Sequence, residues 1–250
     1  MDHFMNHPVA KIRIFVANPL EVGGTVTLTG LKAHYVATVM CQKIGAHLLL
    51  FNGVDGEWLC RIETANKKEV LLAVRKNTRT QAPEPDLWLV FAPIKKGRID
   101  YLAEKATELG VSRLIPVKTE RTVVSRVKTS RLLANAQVAA EQCERLTVPT
   151  VSEMESLESL LANWPVGRNL LFCDEQKEDP SILEALKAQN PEAPWGILIG
   201  PEGGFSEHER NLIRSFRYCI PTSIGPRVLR ADTAAFAAIS LWQAAIGDWV

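Results

Sequence analysis

From Leu87 onward, short apolar runs alternate with stretches whose apolar residues recur every three or four positions, and this alternation restricts the possible folds more than any other feature. Leu87–Ala92, Val111–Val117, Asn169–Cys173 and Gly196–Ile199 read as buried strands, and Arg217–Ile224 contains another. Between them, Arg98–Leu109 carries Ile99, Leu102, Ala103, Ala106 and Leu109 on one side, with Gly110 placed to end the helix. Ser130–Arg145 and Ala231–Ile246 read as further helices, and Ser206 with Glu209 forms a capping box for a helix that follows. Parallel neighbours need a crossover between them, so this order predicts an α/β domain over residues 87–250 with a mostly parallel sheet.

The first 76 residues follow a different rule. Lys11–Val16, Thr25–Thr29, His47–Phe51, Glu57–Glu63 and Glu69–Val74 read as short strands, and Asn52–Gly56 suits a hairpin connector. Gly30–Gln42 places Leu31, Tyr35, Val36, Val39 and Met40 on one helical face. Short strands at close spacing with a single helix predict a small barrel-like domain over 1–76. Residues 77–86 contain Pro83 and Pro85 and one apolar side chain, so they read as a linker.

Bulk charge is uninformative, because 29 basic residues nearly balance 28 acidic ones. The Lys and Arg residues strung from Arg61 to Arg131 fit either a solvated surface or a phosphate-facing strip. The five cysteines are widely spaced without a C-x-x-C pair, which argues against a metal site or a disulfide framework. Buried free thiols in a reducing cytosol are expected instead. The polar start lacks the apolar core of a secretory signal, and Ala231–Trp249 is interrupted by polar residues, so it reads as a buried helix and not as a membrane span.

Two loops carry the functional signal. Ile199-Gly200-Pro201-Glu202-Gly203-Gly204 leaves a strand and enters the capped helix; Ile224-Gly225-Pro226-Arg227-Val228-Leu229-Arg230 also runs from a strand end into a helix. Glycines let backbone approach a ligand, and open α/β sheets bind ligands beyond the carboxyl ends of their strands. Each loop by itself also fits a plain strand-to-helix turn. Neither matches a nucleotide phosphate fingerprint, and Pro93–Gly97 is not one, which argues against a nicotinamide enzyme. Glu141, Gln142 and Arg145 can share a helix end, as ordinary solvated residues or as a site.

Taken in order, Arg13-Ile14-Phe15-Val16, Glu104-Lys105-x-x-Glu108-Leu109-Gly110, Glu120-Arg121, Ala140-Glu141-Gln142-Cys143-x-Arg145 and the two glycine loops resemble the RsmE family of 16S rRNA uridine N3-methyltransferases, within the SPOUT superfamily. The resemblance implies a knotted parallel-sheet methyltransferase domain preceded by a PUA-like RNA-binding barrel. It implies a homodimer, S-adenosylmethionine as cofactor, and 16S rRNA or the 30S subunit as partner, without metal or membrane. Leu171, Ile199, Gly200, Pro201, Glu202, Gly203, Ile224, Gly225, Val228, Leu229 and Thr233 would hold the cofactor. Arg230 would stabilise charge on the uracil oxygens, with Glu141 as a candidate base. Arg13, Lys95, Arg121, Gln142 and Arg145 would contact RNA. A non-catalytic ribosome-assembly factor and a SPOUT enzyme with another RNA target are the rival readings. Asp232, where many relatives have Glu, Glu144, and the extension over residues 1–10 depart from the family pattern.

Overall fold

A computed structural model of the chain describes residues 10–95, 97–176, 178–187 and 189–249; most of the N-terminal extension and Lys96 lie outside them. The chain divides into two compact units. One holds the chain up to Pro83 together with Ala140–Thr147, and the other holds Glu84–Ala139 and the chain from Val148 onward.

The first unit is a five-stranded sheet of β1 (Arg13–Phe15), β2 (Thr25–Thr29), β3 (His47–Phe51), β4 (Glu57–Ala65) and β5 (Glu69–Arg79), in the order β1-β3-β4-β5-β2. β2 shows strict alternation of exposed and buried residues, as a half-buried strand requires. Ile14, Val26, Leu28, Leu48, Leu50, Ile62, Val70 and Leu72, drawn from all five strands, meet in one core. Strands at opposite ends of the pairing order thus share an interior, the property expected of a rolled PUA-like sheet. The predicted helix is shorter than its apolar pattern: α1 (Gly30–His34) passes into a π-helical turn over Tyr35–Val39. Ala33 and Val36 face the core, whereas Leu31 and Val39 remain exposed. Cys41 then adopts a left-handed φ of 49° and is exposed, which corrects the expectation of a buried thiol.

The domain boundaries differ from the sequence reading in two ways. β5 continues to Arg79, three residues into the expected linker, because Glu57 of β4 pairs with Arg79. Residues 140–147 also belong to the first unit, through contacts that no local pattern announces.

The second unit contains β6 (Leu87–Phe91), α2 (Arg98–Glu108), β7 (Arg113–Lys118), α3 (Thr129–Gln142), β8 (Thr150–Val151), β9 (Glu155–Ser156), α4 (Leu157–Ala162), β10 (Asn169–Cys173), α5 (Ile182–Leu186), β11 (Trp195–Ile199), α6 (Glu207–Ser215), β12 (Cys219–Thr222) and α7 (Ala231–Ile246). The last residues of α3 fall within the first unit. The sheet order is β12-β10-β11-β6-β7-β8, and every pairing is parallel. Leu87, Leu89, Ile197 and Leu171 pack with α2 and α7 on one face; Val90, Ile115 and Leu198 pack with α4 and α6 on the other. Burial on both faces explains the unbroken apolar runs of these strands. No described helix is long and apolar enough to cross a membrane.

Candidate active site

β10 lies between β11 and β12, so the loops leaving β11 and β12 flank the end of β10 at the carboxyl edge of the sheet. A cavity of about 210 Å³ opens there. Ile199, Gly200, Pro201, Glu202, Gly203 and Gly204 line one side, and Ile224, Gly225, Arg227, Val228 and Leu229 line the other. Cys173, Asp174 and Glu175 close the end of β10, and Ala231 and Ala234 contribute from α7. The paired turns therefore form one concave wall, which neither turn forms alone.

Local chemistry fixes the first loop. The Gly204 N–H donates to the Pro201 carbonyl at 2.9 Å, and Gly204 has a left-handed φ of 68° that disfavours other residues. Phe205 turns back under the loop to pack edge-on against Phe172, with ring centroids 5.2 Å apart. A Cβ on Gly200 would lie 2.6 Å from the Phe205 ring, so only glycine fits. The capping box is formed: Ser206 Oγ accepts the Glu209 N–H at 3.1 Å, and Glu209 Oε2 accepts the Ser206 N–H at 2.9 Å. The other Glu209 oxygen accepts the Glu120 N–H at 2.8 Å. Arg121 then donates to the Gly203 carbonyl at 2.8 Å. The Glu120-Arg121 turn thus holds the glycine loop in place, a task different from the RNA contact expected of Arg121.

In the second loop, Gly225 has φ 103°, and nothing lies within 4 Å of where its Cβ would stand. Among the described residues, the backbone N–H groups of Arg227, Val228 and Leu229 donate to no protein acceptor. Arg230 is the N-cap of α7, and its carbonyl accepts the Ala234 N–H at 2.8 Å. Its exposed guanidinium makes no hydrogen bond among the described residues, and Arg230 does not itself line the cavity, although its chain neighbours Leu229 and Ala231 do.

The floor is ionic. Asp174 is buried and accepts from Arg210 Nε at 3.0 Å and Arg214 Nη2 at 2.8 Å. Burial pushes its carboxyl pKa up, but the hydrogen bonds from Arg214, Arg210 and the Gln176 N–H outweigh it and hold the pKa below the ordinary value. Glu175 pairs with Arg210 and accepts the Phe205 N–H at 3.2 Å. Sequence reasoning missed Asp174 and Glu175, because the adjacency of β10 to both loops is a tertiary fact. The spacing of Arg210 and Arg214 by one helical turn was the available signal for a shared anionic partner.

Two residues of the expected cofactor set do not reach the cavity wall. Leu171 is fully buried in the sheet core opposite Ile197, two residues short of the strand end. Thr233 points outward, and its N–H is held by the Asp232 carboxylate at 2.9 Å.

Arg13, Glu141 and Arg145 belong to the first unit. Arg13 is buried, pairs with Glu57 at 2.6 Å, and donates to the carbonyls of Ala140, Glu141 and Arg145 at 2.8, 3.0 and 2.8 Å. It satisfies carbonyls at and beyond the end of α3, so its guanidinium is spent inside the unit and not offered to solvent. Glu141 Oε1 accepts the Phe15 N–H at 2.9 Å. Burial raises the Glu141 pKa, opposed by that hydrogen bond and by the charges of Lys32 and Arg13. Arg145 lies beyond the helix end, where it donates to Thr147 Oγ1 at 3.1 Å. Lys95 and Gln142 are exposed.

Residues 81–243 match the model of an RNA methyltransferase domain, and residues 28–75 match that of an RNA methyltransferase PUA domain. The chain is 32% identical over 231 residues to ribosomal RNA small subunit methyltransferase E of Rickettsia conorii, covering 91% of this chain and 93% of that protein. The protein of the same name from Bacillus subtilis is 27% identical over 232 residues, covering 88% and 90%. The crystal structure of a ribosomal RNA small subunit methyltransferase E from Neisseria gonorrhoeae bound to S-adenosyl methionine matches with a TM-score of 0.84 at 25% identity, covering 96% of this chain and 99% of that one.

Proposed function

Because the chain belongs to the ribosomal RNA small subunit methyltransferase E family, we propose that it methylates N3 of a uridine in 16S rRNA, using S-adenosylmethionine. The observation that carries this reading is the cavity built jointly by the two glycine turns at the sheet's carboxyl edge. Its residues fit the cofactor. Ile199, Pro201, Ile224, Val228 and Leu229 offer apolar surface to adenine, and the N–H groups of residues 227–229 offer donors to its nitrogens. Gly225 lines the cavity with φ 103°, a backbone conformation that other residues rarely adopt. Gly200, Glu202 and Gly203 line the remaining wall, where the ribose and methionyl groups would lie.

When bound, the cofactor supplies an electrophilic sulfonium methyl group. Uracil N3 is a weak acid, so its proton must leave or the developing anion must be stabilised. Arg230, the N-cap of α7 between the cavity-lining residues Leu229 and Ala231 in the chain, has an uncommitted guanidinium and is the residue we assign to that charge. Glu141 takes no part in this proposal, because its carboxylate is engaged by Phe15 within the barrel unit. Positioning accounts for much of the remaining acceleration, since N3 must lie in line with the methyl group. The same reading makes the two turns part of the deep knot that the resemblance implies. It takes the assembled 30S subunit as substrate, has the PUA-like unit hold rRNA, keeps Lys95 and Gln142 as RNA contacts, and expects a cytoplasmic homodimer.

The test is incubation with methyl-labelled cofactor and either free 16S rRNA or 30S particles, followed by nucleoside analysis. Labelled 3-methyluridine is the expected product, more abundant from 30S particles. Label in another nucleoside, or none, would overturn the assignment.

A further inference from the structure

A second concavity of the methyltransferase unit lies apart from the cofactor cavity. It encloses about 380 Å³ beneath the irregular segment that leads into α3. Its floor is apolar: Ile94, Ile99 and Leu132 are buried. Its rim is cationic, with Arg126, Lys128 and Arg131. The charges on this rim differ in availability. Arg131 is held by the buried Asp100, through Nε at 2.9 Å and Nη2 at 2.6 Å. Arg126 and Lys128 are exposed, and among the described residues neither side chain makes an ion pair or a hydrogen bond. The same two residues also line a neighbouring recess of about 370 Å³, where the one carboxylate, Glu153, is taken up by Thr129 at 2.7 Å.

One ion pair joins chain neighbours of the two linings. Ile99 follows Arg98, which pairs at 3.4 Å with Asp232 of α7. Asp232 in turn follows Ala231, which lines the cofactor cavity. An apolar floor beneath two uncommitted cations suits a nucleotide unit of a polyanion, with base or ribose on the floor and phosphates at the rim.

We propose that this cleft is a phosphate-gripping subsite for the RNA substrate, with Arg126 and Lys128 as its two contacts. The proposal rests on the reading of the chain as an RNA methyltransferase and adds a binding site to it. It predicts that these cations contribute affinity without base selectivity, because phosphates are the same in every sequence.

The test combines Arg126→Ala with Lys128→Ala, which removes no side-chain hydrogen bond or ion pair among the described residues. The full chain, saturated with S-adenosylmethionine, is titrated with a 16S rRNA transcript over a series of salt concentrations. Loss of two contacts to single-stranded phosphates should lower the slope of log affinity against log salt by about 1.4. A uridine homopolymer should weaken in parallel, and the charge-preserving pair Arg126→Lys with Lys128→Arg should restore most of the slope. Cofactor affinity by calorimetry should not change. An unaltered slope overturns the proposal. So does a shift in sedimentation on substitution, which would mark the cleft as an interface between copies of the chain. Failure of the methyltransferase reading would appear separately, as absence of 3-methyluridine from the unsubstituted protein, while the slopes remain interpretable.

Discussion

Arg230 and Arg121 are both cations beside glycine turns, yet the structure gives them different work. Arg121 is spent on the Gly203 carbonyl, and Arg230 makes no hydrogen bond among the described residues. Arg230→Ala should therefore lower kcat by about 10²–10³-fold, the scale of a lost anion-stabilising donor, with cofactor affinity unchanged. A near-normal single-turnover rate would remove Arg230 from the mechanism. Arg121→Ala should raise the KM for S-adenosylmethionine by about tenfold with a smaller effect on kcat, since one charge-assisted hydrogen bond contributes about 1.5–3 kcal/mol. Arg121→Lys retains a donor and should recover part of that loss, which separates loop positioning from general destabilisation. Sequence order put both arginines in motifs, but only the hydrogen-bond partners distinguish their roles.

At the scale of elements, α6 is tied to the end of β10 through Asp174. Its side chain is fully buried between Arg210 and Arg214, of which the second is partly exposed. Arg210 keeps Glu175 and Arg214 keeps Asp179 as partners, so Asp174→Asn removes two charge-assisted hydrogen bonds without stranding a cation and should destabilise the protein by about 1–3 kcal/mol at neutral pH. The sign with pH follows from the lowered pKa. The unfolded chain takes up the proton first as pH falls, so the stabilisation is present above the ordinary aspartate range and is lost as pH drops through the folded value. Urea titrations of the two proteins should therefore converge in acid, and a gap that persists there would refute the account. A second tie joins α2 to α7. Gln243 is buried, donates to the Leu109 carbonyl at the end of α2 at 2.8 Å and accepts the Asp248 N–H at 3.0 Å. Gln243→Leu should cost about 1–3 kcal/mol by thermal denaturation, because it strands both groups. The period of α7 was legible to the residue, and the task of its one buried amide was not.

For the molecule as a whole, the barrel unit is discontinuous. Arg13 draws three carbonyls from Ala140–Arg145 into the unit and stacks over the Phe51 ring at 4.4 Å. A fragment cut at Pro83 keeps Glu57 but loses those acceptors, so it should show a molten, poorly dispersed amide spectrum. Adding a peptide of residues 136–147 should improve it, and a well-dispersed fragment without the peptide would show that the clasp is dispensable. The expected linker suggested a clean cut, because proline content is local whereas the return of residues 140–147 is not. What the sequence determined by itself is set by period and by local composition: a parallel α/β unit from its unbroken apolar runs, a small β unit from its alternation, and two glycine-containing turns that leave strand ends and enter helices. Tertiary structure alone decided which charges are spent and which are available. Burial turns Arg13 and Asp174 into internal ties and leaves Arg126, Lys128 and Arg230 facing solvent, and desolvation depends on neighbours that lie far away along the chain.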